Sequence, residues 1–235
     1  MRIVGIVGTK NTGKTVLVTK VVQKLVERGF DVGTVKHTTE GFDIEGRDTW
    51  KHKEAGAQLV VGAGEETFLN IGESMELDNI LNLMKYVKKL DFVVVEGFKH
   101  SRYAKISTSD YKDDFTIKNV DVRDLKPEDI ESLADMIEER SFGIYQSLDC
   151  KKCGFENCEA FQMAKISGDA GKDVKCETEA DDVVLKVDGF AIPMNPFVKG
   201  LVRNVVHGMV DSLRKDEYGA HETKRIELFI KDEDN

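Results

Sequence analysis

The sequence has no excess of positive charge. Its 34 Lys and Arg stand against 43 Asp and Glu, for a formal net charge of −9. Broad nucleic-acid binding needs a basic face, so that class of function is excluded, while a small basic pocket for phosphates is not. No run approaches the ~18 apolar residues of a membrane span, which excludes a helical membrane protein. No leader is visible: the apolar run from Ile3 to Val7 passes straight into a glycine-containing loop and reads as a first strand. A cytoplasmic protein is therefore expected. There is no internal repeat, and no low-complexity tract beyond the acidic end from Lys231 to Asn235. Cysteine is scarce too. All four residues fall between positions 150 and 176, and thiols clustered in a reducing compartment point to a metal site more than to disulfides.

What is present begins with alternating strand and helix signals over a chain of 235 residues, enough for one large domain or two modest ones. Ile3 to Val7 is a strand. Val18, Val21, Val22, Leu25 and Val26 recur at helical spacing, so Thr15 to Glu27 is a helix. Strands are expected at Asp31–Val35, Gln58–Ala63 and Thr67–Ile71, and helices at Thr49–Ala55, Leu77–Lys88 and from Pro127 to about Glu139. Phe92 to Val95 is continuously apolar, as in a parallel-sheet strand buried on both faces. Further on, Val183–Val187 and Phe190–Ile192 flank the turn signal Asp188-Gly189. Asn195-Pro196 opens a helix to about Leu213 with one apolar face, and Ile226–Ile230 is a last strand. The expected fold class is α/β: a domain with a mostly parallel sheet flanked by helices, plus a smaller C-terminal α+β part that carries the cysteines. The expected boundaries are 1–142, 143–180 for the cysteine segment, and 181–235 for an α+β extension.

The pattern G-x-x-x-x-G-K-T is complete in Gly8-Thr9-Lys10-Asn11-Thr12-Gly13-Lys14-Thr15, with Val16 following in the helix. Gly8 and Gly13 let the backbone curl so that successive N–H groups face phosphate oxygens. Lys14 neutralises the β- and γ-phosphates, the Thr15 hydroxyl ligates Mg²⁺, and the helix adds its positive end. The alternative is an ordinary glycine turn, but the loop sits where the mechanism demands, between strand and helix. Glu96, closing the strand Phe92–Val95, fits the second acidic element at a Mg²⁺ site; otherwise it is a solvated strand end. The loop from Lys36-His37-Thr38 to His52 is dense in charge. Asp48 is a further Mg²⁺ candidate, and Arg47, Lys51 and His52 are candidates for phosphate or a second anion; the alternative is a solvated loop.

The loop, Lys36-His37, Gly46-Arg47-Asp48-Thr49 with His52 and Ala55-Gly56-Ala57, and Val95-Glu96-Gly97-Phe98-Lys99 together resemble the molybdopterin-guanine dinucleotide biosynthesis adapter family, MobB, over about residues 1–140. The resemblance implies a GTP-binding protein with Mg²⁺ and slow intrinsic hydrolysis. It implies as partner the guanylyltransferase that joins GMP to molybdopterin, with molybdopterin or molybdoenzymes as further partners, and a homodimer is expected. Thr49 and Lys51 depart mildly from the family pattern, which often has Ser and Arg there. No Asn-Lys-x-Asp motif is present, so guanine preference rests on the resemblance.

Cys150, Cys153, Cys158 and Cys176 have the spacing C-x2-C-x4-C-x17-C. The segment resembles the small iron–sulfur domain of anaerobic redox and corrinoid proteins, which implies a [4Fe–4S] cluster. Soft thiolates suit Fe–S or zinc, but a zinc ribbon shows two C-x2-C pairs and only the first is here. Zinc and unligated thiols remain the alternatives. Rival functions are a phosphate-loop kinase using Lys14, Arg47 and Asp48, a metallochaperone-type GTPase, and a redox module regulated by nucleotide.

Overall fold

The computed structural model describes residues 1–145, 147–176, 183–187, 190–192, 194–219, 225–228 and 230. Its centre is a parallel five-stranded sheet. The strands are β1 (Arg2–Val7), β2 (Val32–Lys36), β5 (Phe92–Glu96), β6 (Ala104–Ser107) and β7 (Thr116–Asn119), in the order β2-β5-β1-β6-β7. β1 pairs with β5 from Arg2 opposite Phe92 to Ile6 opposite Glu96, and with β6 from Val4 opposite Ala104 to Val7 opposite Ser107. Parallel strands need crossover helices, which bury both faces of the sheet. That is why Ile3, Val4, Ile6 and the run Phe92 to Val95 are fully buried.

Helix α1 (Lys14–Glu27) crosses from β1 to β2 and packs through Leu17, Val18, Val21 and Leu25; Gly29, at φ 86°, lies just past its end. Helix α3 (Leu77–Val87) precedes β5. Helix α4 (Pro127–Arg140) starts with proline at its first turn and packs on α1. Between β2 and α3 lie α2 (Asp48–Glu54) and a separate antiparallel hairpin, β3 (Leu59–Ala63) with β4 (Thr67–Ile71). The elements expected before residue 100 are all present to within a residue or so; β6 and β7 were not foreseen.

Chain contacts divide the molecule into two compact units. One is Met1–Tyr145 with Asp149–Glu179; the other is Gln146–Leu148 with Ala180–Asn235. The cysteine segment, expected as its own piece from 143 and as part of a smaller C-terminal domain, thus belongs to the nucleotide-loop unit. The reason is its packing. Helix α5 (Cys158–Ser167) buries Phe161 and Ile166 in the same core as Ile3, Phe92 and Phe142, and it packs against β7 and α4. Phe142 itself returns to the sheet, accepting the Ile3 N–H at 2.9 Å.

The second unit holds the hairpin β8 (Leu185–Val187) and β9 (Phe190–Ile192), and α6 (Pro196–Asp211). Asn195 caps α6 by accepting the Val198 N–H at 2.9 Å. Phe197, Leu201, Val205 and Met209 are exposed along this helix. The expected turn at 188–189 and the acidic stretch 177–182 lie outside the described residues. No strand forms among the described residues of the expected 226–230 element.

Candidate functional site

The C-terminal ends of all five parallel strands meet at one edge of the sheet, with β1 between strands that connect in opposite directions. Ligands of open α/β sheets bind at such a switch point. The loop from Gly8 to Gly13 leaves β1 here and runs directly into α1, whose first N–H groups have no helical acceptor and favour an anion.

The loop glycines are required by both conformation and space. Gly8 has φ 149° and Gly13 φ 82°. A Cβ on Gly8 would lie 2.3 Å from Thr108 Oγ1, and one on Gly13 would lie 2.9 Å from Val122 Cβ. Asn11 adds a third left-handed residue at φ 62°. The loop is tied down where Thr12 and Thr108 share a hydroxyl hydrogen bond at 2.6 Å, and Thr108 N–H donates to the Val7 carbonyl at 2.8 Å. Lys14 Nζ donates to the Thr9 carbonyl at 2.5 Å, inside the loop it would share with phosphate.

The second element closes the site from β5. Thr15 Oγ1 donates to Glu96, 2.9 Å from Oε1 and 3.1 Å from Oε2, and Lys36 Nζ lies 3.8 Å from Oε1. Hydroxyl and buried carboxylate are thus adjacent at the start of α1. This is the hard-oxygen pair that a Mg²⁺ ion takes alongside phosphate oxygens, so the residues fit the ion. The segment after Glu96 is tightly built. Gly97 has φ 96°, and a Cβ there would lie 2.7 Å from His37 Cβ. Phe98 has φ 47°, a costly left-handed conformation for an aromatic residue, and its ring lies 4.6 Å from that of His37.

The family described as molybdopterin guanine dinucleotide synthesis protein B, MobB, matches residues 3–121. The chain belongs to that family. A protein of Methanocaldococcus jannaschii, described as a candidate molybdopterin-guanine dinucleotide biosynthesis adapter, is 30% identical over 98% of this chain and 97% of its own length. The Escherichia coli molybdopterin-guanine dinucleotide biosynthesis adapter protein is 32% identical over 54% of this chain and 86% of its own. A crystal structure of a MobB protein homolog from Bacillus stearothermophilus is 31% identical, covering 46% of this chain and 63% of that one, with a TM-score of 0.36.

Within this MobB chain the remaining candidates fall unevenly. Thr15 and Glu96 are hydrogen-bonded to each other, while Asp48 pairs with a lysine of its own helix. Its carboxylate is almost fully exposed at the start of α2 and pairs with Lys51 at 3.2 Å. Asp43 does more in this region: its carboxylate accepts from the Thr49 hydroxyl at 3.0 Å and from Asn70 Nδ2 at 3.4 Å, binding the loop to the hairpin. Arg47 and His52 stand exposed beside them.

The other flank of the loop was not read from the sequence. Lys105 is fully buried in β6, and its Nζ donates to the carbonyls of Lys99 at 2.8 Å and Ser101 at 2.7 Å, and to Asp113 at 2.7 Å. Beside it, Tyr111 donates its hydroxyl to the same Lys99 carbonyl at 2.9 Å. Asn119 Nδ2 donates to the carbonyls of Ser109 at 2.7 Å and Tyr111 at 3.0 Å, fastening the loop after β6 to the end of β7. The β-branched pair Thr116-Ile117, bounded by Asp113-Asp114, was the available signal for β7.

None of the four cysteines is joined in a disulfide; Cys176 is buried in the core and Cys153 packs against that core. Cys158 opens α5, and its N–H donates to Asp149 Oδ1 at 2.7 Å. Burial pushes its thiol up, with the neighbouring Asp149 and Cys176 adding to the rise against the downward pull of its backbone bond. Among the described residues, no three His, Cys, Asp or Glu side chains form a ready metal cage. The family match ends before this segment, whereas the M. jannaschii relative spans almost the whole chain.

Proposed function

We propose that this chain is a GTP- and Mg²⁺-binding adapter for the formation of molybdopterin guanine dinucleotide, acting in the cytoplasm in molybdenum- or tungsten-cofactor maturation. Its partner is the guanylyltransferase that joins GMP to molybdopterin. The observation that carries this reading is the Thr15 hydroxyl set on the Glu96 carboxylate at the mouth of a complete phosphate loop. Family membership and the adapter names of the relatives support the pathway. Mg²⁺, when bound, neutralises charge between the β- and γ-phosphates. Thr15 and Glu96 would hold it, Lys14 would turn from the Thr9 carbonyl to the phosphates, and the loop N–H groups would orient them.

Nothing on the site is assigned to position an attacking water, so intrinsic hydrolysis is expected at roughly 10⁻⁴ to 10⁻² s⁻¹. A homodimer is part of the reading. The β3–β4 hairpin forms a two-stranded sheet of its own that α2 contacts, and it leaves Leu59, Val61, Phe68 and Leu69 exposed; a second copy covering these side chains is the reading they support.

The test is calorimetry with GTP and Mg²⁺. Tight, Mg²⁺-dependent binding is expected, with Lys14→Ala removing most of the affinity and Glu96→Gln removing the Mg²⁺ dependence. Unchanged GTP affinity in Lys14→Ala overturns the reading. A single-turnover rate on the order of 1 s⁻¹ without a partner favours the kinase or active-GTPase rivals.

A second part of the proposal is that Cys150, Cys153, Cys158 and Cys176 together hold a [4Fe–4S] cluster. Four soft donors within one compact unit support it, with Asp149 and Lys151 in left-handed conformations, at φ 44° and 57°, to curl the loop that carries three of them. Ligation requires that loop to draw in toward Cys176. About four iron and four sulfide per chain are expected after anaerobic purification. Stoichiometric zinc without sulfide refutes it.

A further inference from the structure

The phosphate loop has two flanks, and only one is accounted for. On the β5 flank, Glu96 and Thr15 would set the Mg²⁺ and γ-phosphate end of a bound nucleotide. A triphosphate laid along the loop with that end fixed sends its nucleoside across β1, toward the ends of β6 and β7. There the residue after Asp121 touches the loop itself: a Cβ on Gly13 would lie 2.9 Å from Val122 Cβ. The segment around it is held firmly. Val120 N–H donates to the Ser107 carbonyl at 2.9 Å, and Asn119 clamps the loop after β6 through two carbonyls.

Asp121 stands at the end of this segment with its carboxylate half-exposed. Oδ1 accepts from Arg123 Nε at 3.0 Å and from the Arg123 backbone N–H at 3.1 Å, and Oδ2 accepts from Arg123 Nη2 at 2.5 Å. The carboxyl therefore titrates at about 2, held down by the hydrogen bonds from the Arg123 side chain and then its backbone, and it is an acceptor only at neutral pH. Its partner is fixed on one side alone, because the Arg123 side chain is 87% exposed. Exposed pairs of this kind are weak and exchangeable.

The chemistry of the fork is specific. A guanidinium offers two parallel N–H donors to a carboxylate, and the N1–H and N2–H₂ edge of guanine offers the same pair on the same carbon framework. Adenine presents an acceptor at N1 and has no 2-amino group. We propose that Asp121 reads the base: its two carboxylate oxygens accept the paired donors of a guanine edge, and the Arg123 guanidinium occupies that fork until the base displaces it. This rests on the phosphate-loop reading of the site and names the residue that selects its substrate, in a chain without an Asn-Lys-x-Asp motif.

The experiment is calorimetry of the full chain with Mg²⁺ and GTP, ATP or xanthosine triphosphate, for the unaltered protein, Asp121→Asn and Asp124→Asn. The unaltered protein should prefer GTP. Asp121→Asn should lose about 10- to 100-fold in GTP affinity, the range expected for losing hydrogen bonds to a charged group, with ATP affinity unchanged. It should gain affinity for xanthosine triphosphate, whose C2 carbonyl can accept from the new amide. That gain cannot come from misfolding. Asp124→Asn, three residues on, should keep the GTP preference. An unaltered GTP-to-ATP ratio in Asp121→Asn, or a switch produced by Asp124→Asn instead, overturns the assignment. An unaltered protein that binds GTP and ATP equally also overturns it, leaving the phosphate loop intact. A protein that binds no nucleoside triphosphate overturns the loop reading and this one together.

Discussion

On the β5 side of β1 the strand interior is entirely apolar, Phe92 to Val95, and its single carboxylate, Glu96, comes at the end where the ligand edge lies. On the β6 side Lys105 and Ser107 are fully buried within the strand itself. The covering elements differ as well. α1, which covers β1, β2 and β5, is the chain that follows the phosphate loop directly. β7 is packed by α5, drawn from the cysteine segment some forty residues beyond it. One side is thus a local, hydrophobic construction, and the other is held by polar anchors and by distant sequence. Apolar burial is tolerant of detail. A buried cation with three oxygen partners is not, because each unmade bond leaves a desolvated group.

The dependence on distant sequence can be broken most directly at Phe161. Its ring is fully buried between Phe142 and Phe155, with centroids 6.4 Å and 5.7 Å away. Phe161→Ala should cost about 3–5 kcal/mol, the range for a large buried aromatic. Urea unfolding followed by far-UV and near-UV circular dichroism should show both signals of the nucleotide-loop unit moving to a lower midpoint together. If the cysteine segment were an independent domain, a sheet transition at its original midpoint would persist, and the comparison would fail.

A smaller effect is expected at Lys105. Lys105→Met keeps the volume and removes the charge, taking the ammonium donor from the Ser101 carbonyl and leaving the Lys99 carbonyl and Asp113 to Tyr111 and Thr116. Asp113 is partly exposed and can rehydrate, so the loss should be about 2–3 kcal/mol rather than the larger figure for a fully buried pair. The carboxyl of Asp113 is held below its usual range by hydrogen bonds from Lys105, Thr116 and Tyr111, against the upward push of burial. A group with a depressed folded value adds stability above its unfolded value near 3.9 and loses it as pH falls through the folded one. Acid unfolding of Lys105→Met should therefore be less steep than that of the unaltered protein below about pH 4.

The same contrast explains what was legible. β1 and β5 announce themselves because strands buried on both faces leave a continuous apolar run, and the glycine pattern places the loop between strand and helix. β6 and β7 are four residues each, and β6 carries Lys105 and Ser107 where a buried strand should show apolar residues, so no periodicity marks it. The Thr108 and Val122 contacts to the loop depend on those strands and were invisible for the same reason. The grouping of the cysteine segment with the sheet was not legible because Phe142 and Phe161 share one core, a contact across nineteen positions that composition does not reveal. Thr15 and Glu96 meet because the loop after β1 and the end of β5 share one edge of the sheet, an arrangement the strand-end rule makes legible. The exposure of Asp48 was not legible, because nothing in a loop sequence says which way its helix faces.

The smallest effect tests the link between the two sides. Tyr103, just before β6, donates its hydroxyl at 2.6 Å to Asp78 at the start of α3, the helix that leads into β5. Tyr103→Phe removes one hydrogen bond to a carboxylate with little change in packing, so the loss at neutral pH should be about 1–2 kcal/mol. The pH dependence gives the sharper signature. Burial, and then the neighbouring Asp78, push the Tyr103 phenol well above its ordinary value. A group whose proton is held more tightly in the folded state contributes stability that is complete below the unfolded value, near 10, and is lost as pH rises beyond it. The unaltered protein should therefore lose about 1.4 kcal/mol of stability per pH unit above pH 10 from this residue, while Tyr103→Phe does not. Denaturation midpoints of the two proteins should converge between about pH 10 and 11. A gap that stays constant across that range would mean that the phenol is hydrated in the folded protein, and that the two sides of β1 are not joined through Asp78.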